Sequence, residues 1–271
     1  MPASVARLPR TAARDGYLAY GERLVPEETA IAFTYNGTSH AVMMATPANF
    51  EDFAAGFSLT EGIVQAADDI SDLEIVNGEF GVELRMWISE TRMRPYSMRR
   101  RHLAGPTGCG LCGIESLSEV SRPCPRVGFG IDVEPEAIST AMATLPPVQM
   151  LNRETRATHA SAFWQPGKGI IEVREDVGRH NALDKLVGSL ARRQIDGAGG
   201  IVLLTSRVSV EMVQKTAVLG ATILVAVSAP TALAVRIAEA CGITLIAIAR
   251  GHDFEIFSHP ERIAPSVQRR S

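Results

Sequence analysis

The C-terminal part of the chain alternates short apolar runs with stretches of helical period, and glycines mark the seams. Residues 169–173 read as a strand, 181–193 as a helix, 201–205 as a strand and 209–219 as a helix ended by Gly220. A strand at 223–227, a helix at 231–241 stopped by Gly242 and a strand at 243–249 continue the rhythm. Glycine just past a helix adopts the left-handed conformation at little cost, so these seams are helix ends. Strands that are apolar at nearly every position are buried on both faces, which is the pattern of a parallel sheet covered by helices. The expected fold class is α/β, with a three-layer α/β/α domain over 131–271 built on a mainly parallel sheet.

The first third has a different texture. Residues 29–35 and 39–44 flank Asn36-Gly37, a hairpin turn signal, and Asn77-Gly78 is a second one. Between them Phe50, Phe53, Ala54 and Phe57 recur at helical spacing, with Thr46 as the expected cap, Pro47 at the opening and Gly62 as the stop. Residues 1–15 hold Arg7, Arg10 and Arg14 but no apolar run of the kind a signal peptide needs, so a disordered tail and no secretion are expected. The expected division is a β-rich part over 16–130, carrying a mobile cysteine loop at about 90–125, followed by the α/β domain.

A formal net charge of −3 argues against a general nucleic-acid binder, which carries a basic surplus. The most apolar region, 199–249, is interrupted by Arg207, Glu211, Lys215, Arg236 and Glu239, so it reads as core and no membrane insertion is expected. Four cysteines, spaced as one close pair plus Cys124 and Cys241 alone, are not the framework of a small secreted domain. Cys241 reads as a small buried hydrophobe. A reducing compartment, the cytoplasm, is the corresponding expectation.

Chemistry concentrates at Gly108-Cys109-Gly110-Leu111-Cys112-Gly113. Glycines at this density favour neither helix nor strand, so Cys109 and Cys112 sit on a loop, where reactive groups are usually presented. Three readings stand: metal ligands, a redox dithiol, or a persulfide carrier. A zinc set would have to be assembled from His102, Cys109, Cys112 and Cys124, yet structural zinc sites usually bring two close ligand pairs and only one exists here. Arg92, Arg94, Arg99, Arg100 and Arg101 precede the pair with no acid among them. Read alone, such a run is a solvated surface; beside a thiol, cations favour the thiolate and suit a phosphate or an acidic partner.

Further polar clusters fall where the expected strands end. Arg174-Glu175-Asp176-Val177-Gly178-Arg179-His180-Asn181 closes one strand and opens a helix. Helix capping by Asn181 or Asp176, with Asp184 and Lys185 exposed, would explain part of it. A ligand at the carboxyl ends of the strands, reached by Asp176, Arg179 and His180, would explain the rest. Thr205-Ser206-Arg207 and Ser228 occupy equivalent places, where helix N-termini favour phosphate, and no Walker-type loop accompanies them. His159 lies among small residues that leave room for a bulky group; a hydrogen-bonded, partly buried histidine is the plain alternative.

Taken together, Leu59-Thr60-Glu61-Gly62-Ile63, the Cys109 segment, Thr158-His159-Ala160, the string from Arg174 through Asn181-Ala182-Leu183-Asp184-Lys185, and Thr205-Ser206-Arg207 resemble the formate dehydrogenase accessory sulfurtransferase family, FdhD. The resemblance implies a sulfurtransferase that takes persulfide sulfur from a cysteine desulfurase and passes it to the molybdenum of bound bis-molybdopterin guanine dinucleotide, before that cofactor enters formate dehydrogenase. By it Cys109 matches the persulfide-bearing cysteine, Cys112 its partner, and Ile248, Ala249, Arg250, Gly251, His252 and Asp253 the cofactor-binding stretch. It also implies a cytidine deaminase-like fold for the larger part, although neither His-x-Glu nor Pro-Cys-x-x-Cys is present to carry deamination. A ligand with two guanine nucleotides suits a homodimer. The competing expectation is a non-catalytic cofactor-binding chaperone with a structural zinc at the cysteine pair.

Overall fold

The computed structural model describes residues 2–91 and 124–264. Cys109, Cys112, His102 and the arginines from Arg92 to Arg101 lie outside the described residues. The chain opens with a two-stranded antiparallel ribbon, β1 (Val5–Arg14) and β2 (Tyr17–Pro26), turned at Asp15 and Gly16 with φ of 52° and 83°. Positive φ at both central residues matches the twist of the flanking strands. The expected disordered tail over 1–15 is thus corrected. A ribbon is held by its backbone ladder, and it needs no apolar run to announce it.

Next come β3 (Thr29–Tyr35) and β4 (Thr38–Ala45), joined by Asn36 and Gly37 at φ of 46° and 76°. Helix α1 (Phe50–Thr60) follows, then β5 (Ile70–Gly78) and β6 (Gly81–Ile88). The four strands lie in the order β4-β3-β6-β5. Asn77 and Gly78 remain in the ladder, opposite Val82 and Gly81, so the second turn falls at Glu79-Phe80. The inner face of this sheet, Ile31, Phe33, Leu84 and Met86, is buried against Phe53 and Phe57 of α1, with the Phe33 and Phe57 rings stacked at 4.1 Å. Asn49, in the left-handed region at φ 56°, occupies the N-cap without a side-chain cap bond, so Thr46 does not cap the helix as expected.

The rest of the chain runs α2 (Pro135–Val148), α3 (Met150–Thr155), β7 (His159–Gln165), β8 (Gly169–Asp176), α4 (Arg179–Arg192), β9 (Ile201–Leu204), α5 (Val210–Leu219), β10 (Ile223–Ala226), α6 (Ala232–Cys241), β11 (Thr244–Arg250) and β12 (Asp253–Ser258). Gly220 and Gly242 close α5 and α6 with φ of 79° and 80°, as the seams indicated. Six strands form one sheet in the order β12-β11-β10-β9-β7-β8. Strands β9, β10 and β11 are parallel, whereas β7 runs antiparallel to both β8 and β9, and β12 antiparallel to β11. The sheet is therefore mixed rather than mainly parallel. The two strands that change its character, His-Ala-Ser-Ala-Phe-Trp-Gln and Asp-Phe-Glu-Ile-Phe-Ser, carry polar residues that mask a strand pattern.

Alternate residues of the central strands face two cores. Val202, Leu204 and Leu224 pack with Leu186, Met212 and Ala238 on the side of α4, α5 and α6; Ile201, Leu203 and Ile223 pack with Ile138 and Leu145 of α2 on the other. The first core does not stop at residue 130, because α1 lies directly on α4. A Cβ on Gly56 would sit 1.7 Å from the Asp184 carbonyl oxygen, and one on Gly188 1.8 Å from that of Asp52. Two glycines thus let the helix backbones touch, and the expected boundary cuts through one continuous core. Cys124 and Cys241, read as lone residues, are joined by a disulfide with Cα atoms 6.0 Å apart. That removes Cys124 from the zinc set, and the cysteine count no longer argues for a reducing compartment.

Candidate functional site

The mixed topology brings the polar clusters to one edge. Strands β8, β9, β10 and β11 all end there, while antiparallel β7 and β12 begin there, with His159 opposite Asp176 and Arg250 opposite Asp253. Backbone bonds continue the ladder beyond the strands: Thr205 N–H donates to the Ala160 carbonyl, Val227 to Leu204, Thr231 to Val208 and Ile248 to Ser228. His159, Asp176, Thr205, Ser206, Arg207, Ser228 and the stretch from Ile248 through Asp253 are thereby placed along a single carboxyl edge, where open α/β sheets bind ligands. Helices α4, α5 and α6 start from it, presenting their positive dipole ends.

Within the Arg174-to-Lys185 string the side chains divide into framework and face. The Asp176 carboxylate is fully buried and accepts four bonds: from Gly178 N–H at 2.8 Å and Asn181 Nδ2 at 2.9 Å on Oδ1, and from Thr46 N–H at 3.0 Å and Lys185 Nζ at 2.6 Å on Oδ2. Four donors saturate a carboxylate. Asp176 therefore shapes the edge and has no lone pair left for a ligand, contrary to its expected contact with one. Lys185 is also fully buried and donates to the Thr46 carbonyl at 2.8 Å; burial pushes its ammonium below the usual lysine range, against the pull of Asp176. Thr46 accepts a further bond from Val177 N–H at 3.1 Å, so its role is to tie β4 to the start of α4.

A second buried centre lies one turn along. Asp184 Oδ1 accepts from Thr60 Oγ1 at 2.6 Å and from Lys215 Nζ at 2.7 Å, with Glu61 3.8 Å from the same ammonium. The Leu59-Thr60-Glu61-Gly62 segment, the Asp184-Lys185 pair and helix α5 meet here, which explains residues that no ligand needs to touch. Asp184 and Lys185 are buried, correcting the expectation that they face solvent. Arg174 joins the framework too, donating to Asp52 Oδ2 through Nε at 2.9 Å and Nη2 at 2.7 Å, and to Glu172. Glu175 accepts from the Leu151 and Asn152 N–H groups at the start of α3, and from Thr158. No sequence signal marked Asp52, or gave Thr46 this role, because their partners lie more than 100 residues away.

The face is cationic and incompletely bonded. Among the described residues Arg179 Nε and His180 Nε2 are buried without a hydrogen-bond partner; His180 Nε2 lies 3.4 Å from Glu211 Oε2, an ion-pair separation. Buried polar atoms are nearly always bonded, so each exception, Thr222 Oγ1 in the core included, calls for a physical reason. Burial, and then the Arg179 charge, lower the pKa of His159. Glu211 is raised by burial but pulled down to about 2 by the His180 ring and the Ser209 hydroxyl, which donates to it at 2.7 Å. Thr205 Oγ1 accepts from Ala160 N–H, and the buried Ser206 hydroxyl donates to the Arg207 carbonyl, so both hold loops, while Arg207 and Arg250 are exposed. Ile248 has φ 54° at a register shift between β11 and β12. A β-branched residue in the left-handed region is strained, and such strain gathers at functional sites. Among the described residues no cluster of histidine, cysteine and carboxylate side chains could hold a metal.

Known proteins are similar to this chain in sequence and in fold. The chain is 51% identical over 262 residues to the sulfur carrier protein FdhD of Agrobacterium fabrum, covering 96% of this chain and 97% of that one. It is 45% identical to the protein of the same name from Xanthomonas euvesicatoria, over 97% and 93% of the two chains. A crystal structure assigned as a formate dehydrogenase accessory protein of Desulfotalea psychrophila superposes with a TM-score of 0.74 at 24% identity, covering 97% of this chain and all of that one, which shows the shared fold. With the model of the FdhD/NarQ family matching residues 26–264, across both sheets and the carboxyl edge, the chain belongs to that family.

Proposed function

We propose that the protein is a sulfur carrier for formate dehydrogenase, a sulfurtransferase that accepts sulfur on Cys109 and delivers it to the molybdenum of bis-molybdopterin guanine dinucleotide held along the carboxyl edge. The observation that carries the cofactor part is the pair of buried, unbonded nitrogens on Arg179 and His180, set among Arg207, Arg250 and three helix N-termini. That set suits the phosphates of a nucleotide, with Glu211 already balancing part of the charge on His180. The sulfur-carrier part is supported by relatives of that name at 51% identity and by the Cys109 motif.

In chemical terms the Cys109 thiolate attacks the outer sulfur of a desulfurase persulfide; the donor's S–S bond breaks, its thiolate leaves, and a persulfide forms on Cys109. The Cys112 thiolate then attacks Cys109 Sγ, expelling hydrosulfide and closing a disulfide that a cellular thiol reduces. The two electrons needed to release sulfur as sulfide thus come from the dithiol. On this reading the protein acts as a homodimer, one nucleotide half to each copy. Incubation with a cysteine desulfurase and cysteine, followed by intact-mass spectrometry, tests the reading. Wild type gains one sulfur, Cys109→Ala gains none, and Cys112→Ala loads but matures the dehydrogenase poorly. A wild-type chain that never gains sulfur refutes it.

A further inference from the structure

The joined cysteines lie away from the carboxyl edge. Cys241 is the last residue of α6, which starts from that edge and ends at the opposite one, where the segment after Cys124 crosses the amino ends of β10 and β11. Val127 N–H donates to the Cys241 carbonyl at 2.9 Å, and a Cβ on Gly242 would lie 3.6 Å from the Val127 side chain and 4.0 Å from the Arg126 stem. Further along, Gly130 passes so close to Thr222 that a Cβ there would sit 2.0 Å from its hydroxyl. The segment is thus laid against the body by contacts that do not involve sulfur. The two cysteines differ in access: Cys241 is 1% exposed and belongs to the core, whereas Cys124 is half-buried and followed by exposed Pro125 and Arg126.

We propose that Cys124 and Cys241 form a thiol–disulfide exchange site, with Cys124 as the attacking sulfur, Cys241 as the resolving one and an accessible disulfide as the substrate. Exchange starts at a sulfur the substrate can reach and finishes at one that only the first sulfur reaches. Burial assigns those roles, and the Cα atoms 6.0 Å apart suit closure. The backbone bond from Val127 keeps a reduced pair within closing distance, so reclosure needs no search by a free chain. Arg126, packed over the end of α6, supplies a nearby cation that favours the attacking thiolate. In the balanced reaction the Cys124 thiolate attacks one sulfur of the substrate, whose S–S bond breaks and whose other sulfur leaves as a thiolate. The Cys241 thiol then gives its proton to that leaving thiolate, attacks Cys124 Sγ and expels the second substrate thiolate. Two electrons pass to the substrate, and the closed pair in the structure is the oxidised state. Two sources supply such a disulfide: oxidised glutathione, and the bond that the carrier reaction closes between Cys109 and Cys112, which rests on the functional reading above.

Differential alkylation with peptide mapping on the full chain tests the site, with circular dichroism confirming that each reduced protein stays folded. A reduced chain carrying Cys109→Ala and Cys112→Ala, treated with oxidised glutathione, should regain the Cys124–Cys241 disulfide and keep no adduct. Adding Cys241→Ala should stop the reaction at one glutathione on Cys124, and adding Cys124→Ala instead should leave Cys241 unmodified. For the second source, fully reduced wild type is loaded with persulfide and left to release hydrosulfide without added thiol. Cys124 and Cys241 joined, with Cys109 and Cys112 free, identifies the chain's own disulfide as a substrate; Cys109 and Cys112 joined restricts the site to small disulfides. A Cys124–Cys241 disulfide that millimolar reduced glutathione cannot open in folded wild type, a reduced pair that oxidised glutathione does not close, or an adduct on Cys241 in place of Cys124 would overturn the exchange site. The glutathione arm lacks Cys109 and Cys112, so its outcome is independent of persulfide loading. Failed loading defeats the carrier and spares the exchange site, and failed exchange leaves the carrier standing.

Discussion

Lys185→Met isolates the framework role of the Asp176 centre. The substitution keeps the aliphatic stem, which packs beneath the Phe53 ring, and removes an ammonium 5.2 Å from the ring centroid. Two acceptors each lose one donor: Asp176 Oδ2, left with Thr46 N–H, and the Thr46 carbonyl, left with Ala48 N–H at 2.8 Å. Both partners are fully buried, so water cannot replace the lost bonds. Removing one member of a buried ion pair costs roughly 3–5 kcal/mol, while the Thr46 carbonyl keeps its Ala48 donor and adds little. The expected loss is therefore about 4 kcal/mol, read as a lower urea midpoint with an unchanged slope. Replacing both members by apolar residues, Asp176→Leu with Lys185→Met, still leaves Gly178 and Thr46 N–H groups unbonded and should recover only part of that loss. A Lys185→Met protein within 1 kcal/mol of wild type, on the order of ordinary surface changes, would refute the reasoning.

Gly188→Ala forces α1 and α4 apart, because its Cβ falls 1.8 Å from a backbone oxygen; it should destabilise by about 3 kcal/mol or more, measured by thermal melting, whereas Gly167→Ala has open space and only its own φ of 73° to strain it. Glu211, held down to about 2 in the folded chain, contributes stability that is complete above its unfolded pKa of about 4.5 and is lost as pH falls towards 2. Glu211→Gln should flatten the decline of stability between those limits, and an unchanged acid limb in urea titrations would remove His180 and Ser209 as the cause. Guanosine diphosphate at 100 times its dissociation constant should stabilise the wild type by about 2.7 kcal/mol, and Arg179→Ala should lose most of that thermal shift at the same concentration. Equal shifts in both proteins would move the nucleotide away from Arg179.

The sequence by itself determined the elements whose signal is local. Asn36-Gly37 specified a hairpin because both residues accept positive φ, Gly220 and Gly242 ended helices for the same reason, and the apolar runs at 201–205 and 223–227 could only be doubly covered strands. The family was legible too, since the Arg174-to-Lys185 string is specific regardless of what each residue does. Tertiary structure alone decided those roles. Whether a carboxylate binds a ligand or holds the frame depends on which donors surround it, and the donors to Asp176 come from Thr46 just after β4, from the turn after β8 and from α4. The same holds for the ribbon over residues 5–26, whose ladder of backbone bonds leaves no apolar pattern, and for β7, whose polar strand sets the sheet's mixed order. Hydrogen bonds and ion pairs between residues more than 100 positions apart, such as Thr46 with Asp176 and Thr60 with Asp184, have no period along the chain, so only the folded molecule can display them.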